Sequence, residues 1–411
     1  MNTRFIVAAC CALLAAGARA DWDFSSLLAR TCDLDRLHEP PGHRANMASS
    51  YNRQLMNADA SGFIREENGR FLMADIKGPG AVVRLWSANP SGKIWFQLDD
   101  AKEPVIEAEF RDLFLGKVAP FAEPFVGVQR KEDERCYHWA YVPIPFAKSC
   151  RIWLSKVMFF QATYVQFPPD TKVETLTLPL APRHREAMSR LGKQFAAVGQ
   201  PPPSVRGEKQ KIEANVAPSE TKVLATLTGP AIVRGVKLKW PGLDPQAGRM
   251  ALLTMRWDGE AEPSVRVPLT DFFGSGFKSL ALGIGDDGAG YCYFPMPFAK
   301  SAEIAVVNEG KEPLKIASEL VVESGAKLLS PLRTFHAMWR RDLETRAAPT
   351  RALEHIANPV CDPAHNYLVA DIKGRGHYIA TMLHRYKNRK SKNRGHIFAF
   401  NKAVDARVRG R

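Results

Sequence analysis

Alternating apolar and polar positions, interrupted by Gly, Pro and Asp, run through most of the chain and predict antiparallel β-strands. Ile94, Phe96 and Leu98 alternate with more polar neighbours. The stretch from Ala81 to Trp86 alternates in the same way, which predicts one face of a strand against a core. The pattern therefore indicates a mainly β protein.

The pattern also repeats, in the same order and about 150 to 160 residues later. Two copies of a many-stranded unit indicate two tandem jelly-roll β-sandwiches with a few short helices. The repeated segments are Gly78-Pro-Gly-Ala-Val-Val-Arg84 with Gly229-Pro-Ala-Ile-Val-Arg234, Phe96-Gln-Leu-Asp-Asp100 with Met255-Arg-Trp-Asp-Gly259, Asp112-Leu-Phe114 with Asp271-Phe-Phe273, and Pro143-Ile-Pro-Phe-Ala-Lys-Ser149 with Pro295-Met-Pro-Phe-Ala-Lys-Ser301.

Three stretches instead show helical signals. Residues 23–37 begin with an Asp/Ser cap region, and residues 183–198 are basic and amphipathic. Residues 331–356 carry apolar side chains at spacings of three and four. Ala370-Asp-Ile-Lys-Gly374 then repeats Ala74-Asp-Ile-Lys-Gly78, which predicts the start of a third β segment.

These signals divide the chain into six parts. The predicted limits are a signal peptide at 1–20, an N-terminal helix with the first jelly roll at 21–182, a helix and proline-rich linker at 183–207, the second jelly roll at 208–328, a helix and the start of a third β segment at 329–384, and a basic tail at 385–411.

Charge changes this picture less than its total suggests. The 411 residues carry 57 Lys or Arg and 43 Asp or Glu, a net charge of +14, which on its own points to a polyanionic partner. Residues 385–411, however, hold ten Lys or Arg and one acid. We therefore expect no nucleic-acid partner, and no later apolar stretch is long enough for a membrane span.

The N-terminus favours export. Arg4, an uncharged apolar stretch over residues 5–16 and Ala18-Arg-Ala20 are typical of a secretory signal peptide, although a buried N-terminal helix is the alternative. We expect a soluble protein, secreted or periplasmic. The five cysteines beyond that segment are widely spaced, which favours buried thiols over a disulfide framework or a zinc site.

Catalytic motifs are scarce. Gly283-Ile-Gly-Asp-Asp-Gly288 matches a dinucleotide-binding string, but no βαβ unit surrounds it, so we interpret it as a hairpin turn. We expect neither a metal nor a cofactor. One polar cluster combines residue types that hold sugars, and on residue types alone the alternative of sheet filling and turn capping is equally good. The candidate substrate-binding residues are Tyr51, Arg53, Asn57, Asp59, Trp86 and Asn89.

Several segments together resemble glycoside hydrolase family 172 from about residue 25 to about residue 383. They are Leu27-Leu-Ala-Arg-Thr-Cys-Asp-Leu-Asp-Arg36, Ser49-Ser-Tyr-Asn-Arg53, Ile76-Lys-Gly-Pro-Gly80, Val83-Arg-Leu-Trp86, Asn89-Pro-Ser-Gly92, Pro143-Ile-Pro-Phe-Ala-Lys-Ser149 and Tyr293-Phe-Pro-Met-Pro-Phe298. The resemblance implies a double jelly roll, trimers or hexamers, and retaining, exo-acting hydrolysis of α-D-furanosides (D-arabinofuranosides or D-fructofuranosides) without a cofactor.

The resemblance also implies two catalytic glutamates, in Trp-Gly-Glu-Gly-Asp and Gly-Thr-x-x-Glu-Asp-Tyr-Phe segments that follow a Gly-His-Tyr strand. Here Gly376-His-Tyr378 is followed by the basic tail, so neither glutamate can be placed and the catalytic residues stay unassigned. Leu55-Met56 also stands where the family has Gly-Gly. Two hypotheses follow: a C-terminally incomplete furanosidase that is inactive alone, or a non-catalytic carbohydrate-binding or assembly protein.

Overall fold

The computed structural model describes residues 21–52, 60–130, 136–240, 247–274, 278–340, 368–374 and 376–382. These residues form two β-sandwiches, each with its own buried core, and four short helices. The helices are α1 Phe24–Arg30, α2 Phe110–Phe114, α3 Pro182–Ala196 and α4 Leu269–Phe272.

The first sandwich has eleven strands. They are β1 Arg44–Ser49, β2 Arg65–Glu67, β3 Arg70–Lys77, β4 Gly80–Ala88, β5 Lys93–Leu98, β6 Ile106–Glu109, β7 Val126–Arg130, β8 Cys136–Ala140, β9 Ile144–Phe146, β10 Ser149–Leu154 and β11 Gln161–Gln166. One sheet runs β1-β11-β4-β8-β7, with β9 also paired to β4, and the other runs β2-β3-β10-β5-β6.

The second sandwich repeats this order. Its strands are β12 Glu208–Val216, β13 Thr221–Thr228, β14 Ala231–Lys239, β15 Ala251–Trp257, β16 Val265–Pro268, β17 Leu282–Ile284, β18 Gly290–Cys292, β19 Met296–Phe298, β20 Ser301–Asn308, β21 Leu314–Ser324 and β22 Ala337–Met338. The sheets run β12-β21-β14-β18-β17 and β13-β20-β15-β16-β22, with β19 paired to β14.

Both sandwiches are jelly rolls. Eight strands of each sandwich define the fold: β1, β3, β4, β5, β6, β8, β10 and β11 in the first, and β12 to β16, β18, β20 and β21 in the second. Counted in chain order, they pair first-eighth-third-sixth in one sheet and second-seventh-fourth-fifth in the other, which is the double Greek key of the jelly roll. The predicted fold class is therefore confirmed by the strand order itself. The domain limits drawn from the sequence stay a prediction.

The predicted alternation holds in β5 and fails in β4. Ile94, Phe96 and Leu98 lie in the first core as expected. In β4 the register against β11 shifts between Thr163 and Tyr164, which is a β-bulge, so both Val82 and Leu85 face the core. The bulge reverses the predicted alternation part-way along the strand.

A repeated aspartate explains part of the sequence repeat. The carboxylate of Asp99 accepts the backbone N–H groups of Lys148 and Ser149 at 2.6 and 3.1 Å. The equivalent Asp258 accepts those of Lys300 and Ser301 at 2.5 and 3.2 Å. Each aspartate thus ties the end of one strand to the turn before another.

The N-terminal and linker helices pack against each other. Asp23 caps α1 through a capping box with Ser26, as the sequence predicts, although the helix ends at Arg30. Helix α3 begins with Pro182 at its first turn. Ser25 Oγ lies 2.7 Å from His184 Nδ1, which fastens α1 to α3.

The helix predicted over residues 331–356 is wrong for residues 331–340, and residues 341–356 lie outside the described part. Phe335 instead stacks on Phe294 at 5.9 Å, and its carbonyl accepts the Trp257 indole N–H at 2.7 Å. Strand β22 then pairs in parallel with β16. Packing on the second core therefore overrides the helical spacing. Residues 368–374 and 376–382 contain no strand, so the predicted third β segment does not form within them.

Four charged side chains join the N-terminal segment, the linker and the second sandwich. Arg234 is 5% exposed and bonds to the carboxylates of Asp35 and Glu323. Arg206 bonds to the same two carboxylates at 2.8 and 3.1 Å. Burial acts to raise the pKa of Asp35, but the Arg206 hydrogen bond and the Arg234 charge outweigh it and lower that pKa.

Candidate functional site

Three of the six predicted sugar-binding residues lie at one end of the first sandwich. Register places Ser49 opposite Gln161, and Gln161 opposite Trp86, so the three residues form a row across β1, β11 and β4. Tyr51 follows two residues after Ser49, and Asn89 follows the last residue of β4. We call this end of the sandwich the rim. Arg53, Asn57 and Asp59 lie outside the described residues.

Trp86 points away from the core because of the β4 bulge. Beyond the bulge, Leu85 and Ser87 are buried, whereas Arg84 and Trp86 are part-exposed on the outer face. The Trp86 ring stacks on Tyr137 of β8, with centroids 6.0 Å apart and planes 23° apart. An aromatic platform of this kind offers its flat faces to the C–H surface of a sugar ring.

Two more aromatic side chains are exposed at the rim. Tyr51 is 51% exposed and Phe159, in the loop between β10 and β11, is 44% exposed. The Phe159 carbonyl accepts the Ser87 hydroxyl at 2.6 Å, which holds this loop against β4. Ser50 is buried and bonds to Phe160 through both its backbone and its hydroxyl, which positions Tyr51.

Polar groups accompany these rings. Arg84 donates to Gln161 Oε1 at 3.4 Å, and its buried Nε has no hydrogen-bond partner among the described residues. Asn52 Nδ2 donates to Ser61 Oγ at 3.2 Å. Asn89 is exposed in a left-handed turn conformation, with φ of 52°. Amide and guanidinium groups of this kind exchange hydrogen bonds with sugar hydroxyls.

The sequence pointed to some rim residues and missed others. Tyr137 carries a detectable signal, since Tyr137 and Trp139 alternate with the buried His138 along β8. Phe159 carries none, because its place depends on how the β10–β11 loop meets β4. The described rim residues named above offer aromatic rings, amide groups and a guanidinium group.

A second cluster combines Asp23, Glu174 and His184, whose ligand atoms lie within 4.8 Å of one another. Each group already has a structural partner. Asp23 caps α1, Glu174 accepts the Arg183 guanidinium at 2.5 Å, and His184 bonds to Ser25. The docking of α1 on α3 accounts for this cluster without a metal ion.

Two predictions made from residue patterns are confirmed away from the rim. Residues 282–292 form the hairpin of β17 and β18, as expected for the glycine-rich string. Cys32, Cys150 and Cys292 are buried free thiols, whereas the other cysteine side chains are outside the described set. No helix in the described ranges is both long and apolar enough to cross a bilayer.

Comparison with protein families gives two matches that together span more than half of the chain. Residues 41–183 match the GH172 first beta-sandwich domain, and residues 206–320 match the GH172 domain-like model. A search of curated proteins gives no match.

The solved structures to which this chain is similar have low TM-scores. One is the structure of Sulfolobus Turreted Icosahedral Virus, with 8% identity, a TM-score of 0.20, and 68% of this chain and 91% of that chain covered. Another is the major capsid protein P2 from bacteriophage PM2, with 9% identity, a TM-score of 0.19, and 69% and 99% covered.

Proposed function

The chain belongs to glycoside hydrolase family 172, and from this premise we propose that its rim binds α-D-furanosides without cleaving them. The lineage it comes from is that of exported, retaining, exo-acting furanosidases. The substrate class is D-arabinofuranosides or D-fructofuranosides, free or within an oligosaccharide.

One observation supports binding above the rest. Trp86, which the family resemblance singles out, stacks with Tyr137 on the outer face of the first sandwich, beside Arg84 and Gln161. An aromatic surface flanked by amide and guanidinium donors matches a sugar ring, which presents C–H groups on its face and hydroxyls around its edge.

Absence of hydrolysis follows from the chemistry of retention. A retaining glycosidase needs two carboxyl groups about 5 to 5.5 Å apart, one as nucleophile and one as acid/base. The Trp-Gly-Glu-Gly-Asp and Gly-Thr-x-x-Glu-Asp-Tyr-Phe segments that carry them in the family do not occur in these 411 residues. We expect no release of the aryl group from aryl α-D-arabinofuranosides or fructofuranosides, and robust hydrolysis by this chain would contradict the proposal.

Calorimetric titration with methyl α-D-arabinofuranoside and methyl α-D-fructofuranoside tests binding. Trp86→Ala removes the platform, and we expect it to weaken binding at this site about tenfold. Trp339→Ala is the matched control. That indole is 49% exposed and follows β22 of the second sandwich, so it is not part of the rim. Equal affinity in wild type and Trp86→Ala would refute the rim as the site.

A second candidate function is assembly, in which the two jelly rolls build a homo-oligomer and the sugar plays no part. Exposed Tyr51 and Phe159 favour it as readily as they favour a sugar. Light scattering after gel filtration tests for the proposed trimer or hexamer. If Tyr51→Ser splits the oligomer while sugar never binds, assembly replaces binding as the function.

Export forms part of the same proposal. Residues 1–20 carry the features of a signal peptide, although they lie outside the described residues. N-terminal sequencing of the protein recovered outside the cytoplasm should begin at Asp21. Retention of residues 1–20 on that protein would contradict this.

A further inference from the structure

A cavity of about 440 Å³ lies on the outer face of the second sandwich, away from the rim. Residues 198–201 and Val205 of the proline-rich linker form one wall. The other wall belongs to β12, β14, β18 and β21, and the turn 285–287 contributes to it. Its volume falls within the range of about 300 to 1,000 Å³ that is usual for small-molecule sites.

The cavity lining carries equal numbers of positive and negative side chains. Its lining includes three lysines and three carboxylates, and each lysine pairs with one carboxylate. The pairs are Lys209–Glu319 at 3.5 Å, Lys237–Asp287 at 2.8 Å and Lys278–Asp286 at 2.7 Å. Because these charges are paired, the cavity lining has little net electrostatic field to attract an anion or a cation.

These pairs are available to a ligand. Lys237 and Asp287 are 45% and 50% exposed, and exposed pairs of this kind contribute little to stability. Their ammonium groups donate hydrogen bonds and their carboxylates accept them. A hydroxyl group both donates and accepts, so a polyhydroxylated ligand can use both members of each pair.

Two stacked tyrosines lie beneath the charged groups. Tyr291 and Tyr293 have ring centroids 5.1 Å apart and planes 27° apart. The Tyr291 hydroxyl donates to the Ser279 carbonyl at 2.6 Å. Tyr293 is 7% exposed and also lines the cavity, and burial raises the pKa of its hydroxyl to about 12. The Tyr293 hydroxyl is neutral at physiological pH, as for an ordinary tyrosine, and can donate a hydrogen bond.

In the first sandwich helix α3, and not an extended linker, packs at the equivalent place. The repeated Pro-x-Pro-Phe segments make Trp139 and Tyr141 the counterparts of Tyr291 and Tyr293. There Trp139 lies against Gly127, as Tyr291 lies against Gly283, and Tyr141 packs against Phe195 of α3 at 6.0 Å.

Two glycines allow close packing at and beside the cavity. A Cβ on Gly283 would lie 2.7 Å from the Tyr291 hydroxyl oxygen, and one on Gly199 would lie 3.0 Å from Lys278 Cε. Gly199 also has φ of 88°, a backbone conformation that residues other than glycine rarely adopt. The linker can approach Lys278, and β17 can approach Tyr291, this closely because these positions lack side chains.

We infer that this cavity binds a neutral sugar, of monosaccharide or disaccharide size, through its lysine–carboxylate pairs and Tyr293. The inference goes beyond the proposed function, since it concerns the other sandwich and holds whether or not the rim binds.

The experiment uses the full chain carrying Trp86→Ala, so that rim binding is weakened about tenfold. Calorimetry with methyl α-D-arabinofuranoside should still detect binding, and inorganic phosphate should give none. Adding Tyr293→Phe should weaken sugar binding about fivefold, the usual effect of one hydrogen bond. Adding Lys237→Ala with Asp287→Ala should weaken it at least tenfold.

A matched control is available on the first sandwich. Lys93 and Glu107 are 51% and 46% exposed and pair at 2.9 Å, so Lys93→Ala with Glu107→Ala removes an equivalent pair elsewhere. This control should leave the affinity unchanged, and melting curves of all variants should confirm that they are folded.

The outcomes separate the two sites. If Trp86→Ala alone abolishes all sugar binding, or if phosphate binds and the sugar does not, the cavity inference is overturned. Unchanged affinity in the Tyr293 and Lys237/Asp287 variants would overturn it as well. If Trp86→Ala has no effect and the cavity variants abolish binding, the inference stands and the rim proposal fails.

Discussion

Replacing Asp258 by alanine tests whether the repeated aspartate holds the second sandwich together. Asp258 follows β15 with φ of 55°, and its carboxylate accepts the backbone N–H groups of Ala299, Lys300 and Ser301 at 2.5 to 3.2 Å. Burial acts to raise the pKa of Asp258, but these N–H groups outweigh it and lower that pKa.

The magnitude follows from two losses. A hydrogen bond to a charged acceptor is worth about 1.5 to 3 kcal/mol, counted once here because the three N–H groups converge on one half-buried carboxylate. Alanine in the left-handed region costs about 1 kcal/mol more. We therefore expect Asp258→Ala to lower the free energy of unfolding by about 3 kcal/mol.

Two further variants separate these losses. Glycine accepts the backbone conformation but supplies no oxygen, so Asp258→Gly should cost about 2 kcal/mol. Asparagine keeps an acceptor oxygen and tolerates the conformation, so Asp258→Asn should cost about 1 kcal/mol.

Guanidinium unfolding at pH 7, followed by tryptophan fluorescence, measures these differences. Asp100→Ala is the control, because that side chain is 78% exposed and should change stability by less than about 0.5 kcal/mol. A folded-state pKa below the ordinary value means that the aspartate's advantage over asparagine is complete above about pH 4 and is lost as the pH falls further. Asn as damaging as Ala, or Ala without effect, would refute the reasoning.

Three further predictions concern packing and charge. Arg234→Met should lower the free energy of unfolding by about 2 kcal/mol. This is less than the loss for a buried ion pair without a second arginine, because Arg206 still neutralises both carboxylates. A loss above about 5 kcal/mol in denaturant titration would contradict this sharing. The thiols of Cys150 and Cys292 should resist alkylation until unfolding, since burial raises both pKa values, to about 12 for Cys292; peptide mass spectrometry would reveal early labelling that disproves it. Gly290→Ala should lower the melting temperature by several degrees, because its Cβ would lie 2.4 Å from a buried phenylalanine ring, and an unchanged melting curve would count against this contact.

Duplication links these predictions to the architecture. Asp99 and Asp258 make the same contacts in the two copies. The strand registers also match, so that Arg234 lies at the β14 bulge where β4 has Val83, and Gly235 lies where β4 has Arg84. The copies have diverged at these positions, since Arg84 borders the rim in the first sandwich whereas the bulge residue Arg234 is buried in a charge network in the second. One fold thus presents two different outer faces.

The sequence by itself determined the class of fold, its duplication and, to within one residue, the starts of helices α1 and α3. These properties rest on local rules: alternation of period two, turn residues, the Asp23 cap and Pro182 at a first helical turn. The same locality gave the Gly283–Gly288 hairpin, because glycine and aspartate suit tight turns wherever they occur.

Only the tertiary structure decided which faces these elements present. The β4 bulge turned Trp86 outward, and the insertion of Phe335 beside Phe294 replaced a predicted helix with extended chain. The cavity beside Tyr293 depends on where the linker passes over the second sheet. Such placements arise from contacts between residues far apart in the chain, whose energies exceed local preferences and leave no periodic trace in the sequence.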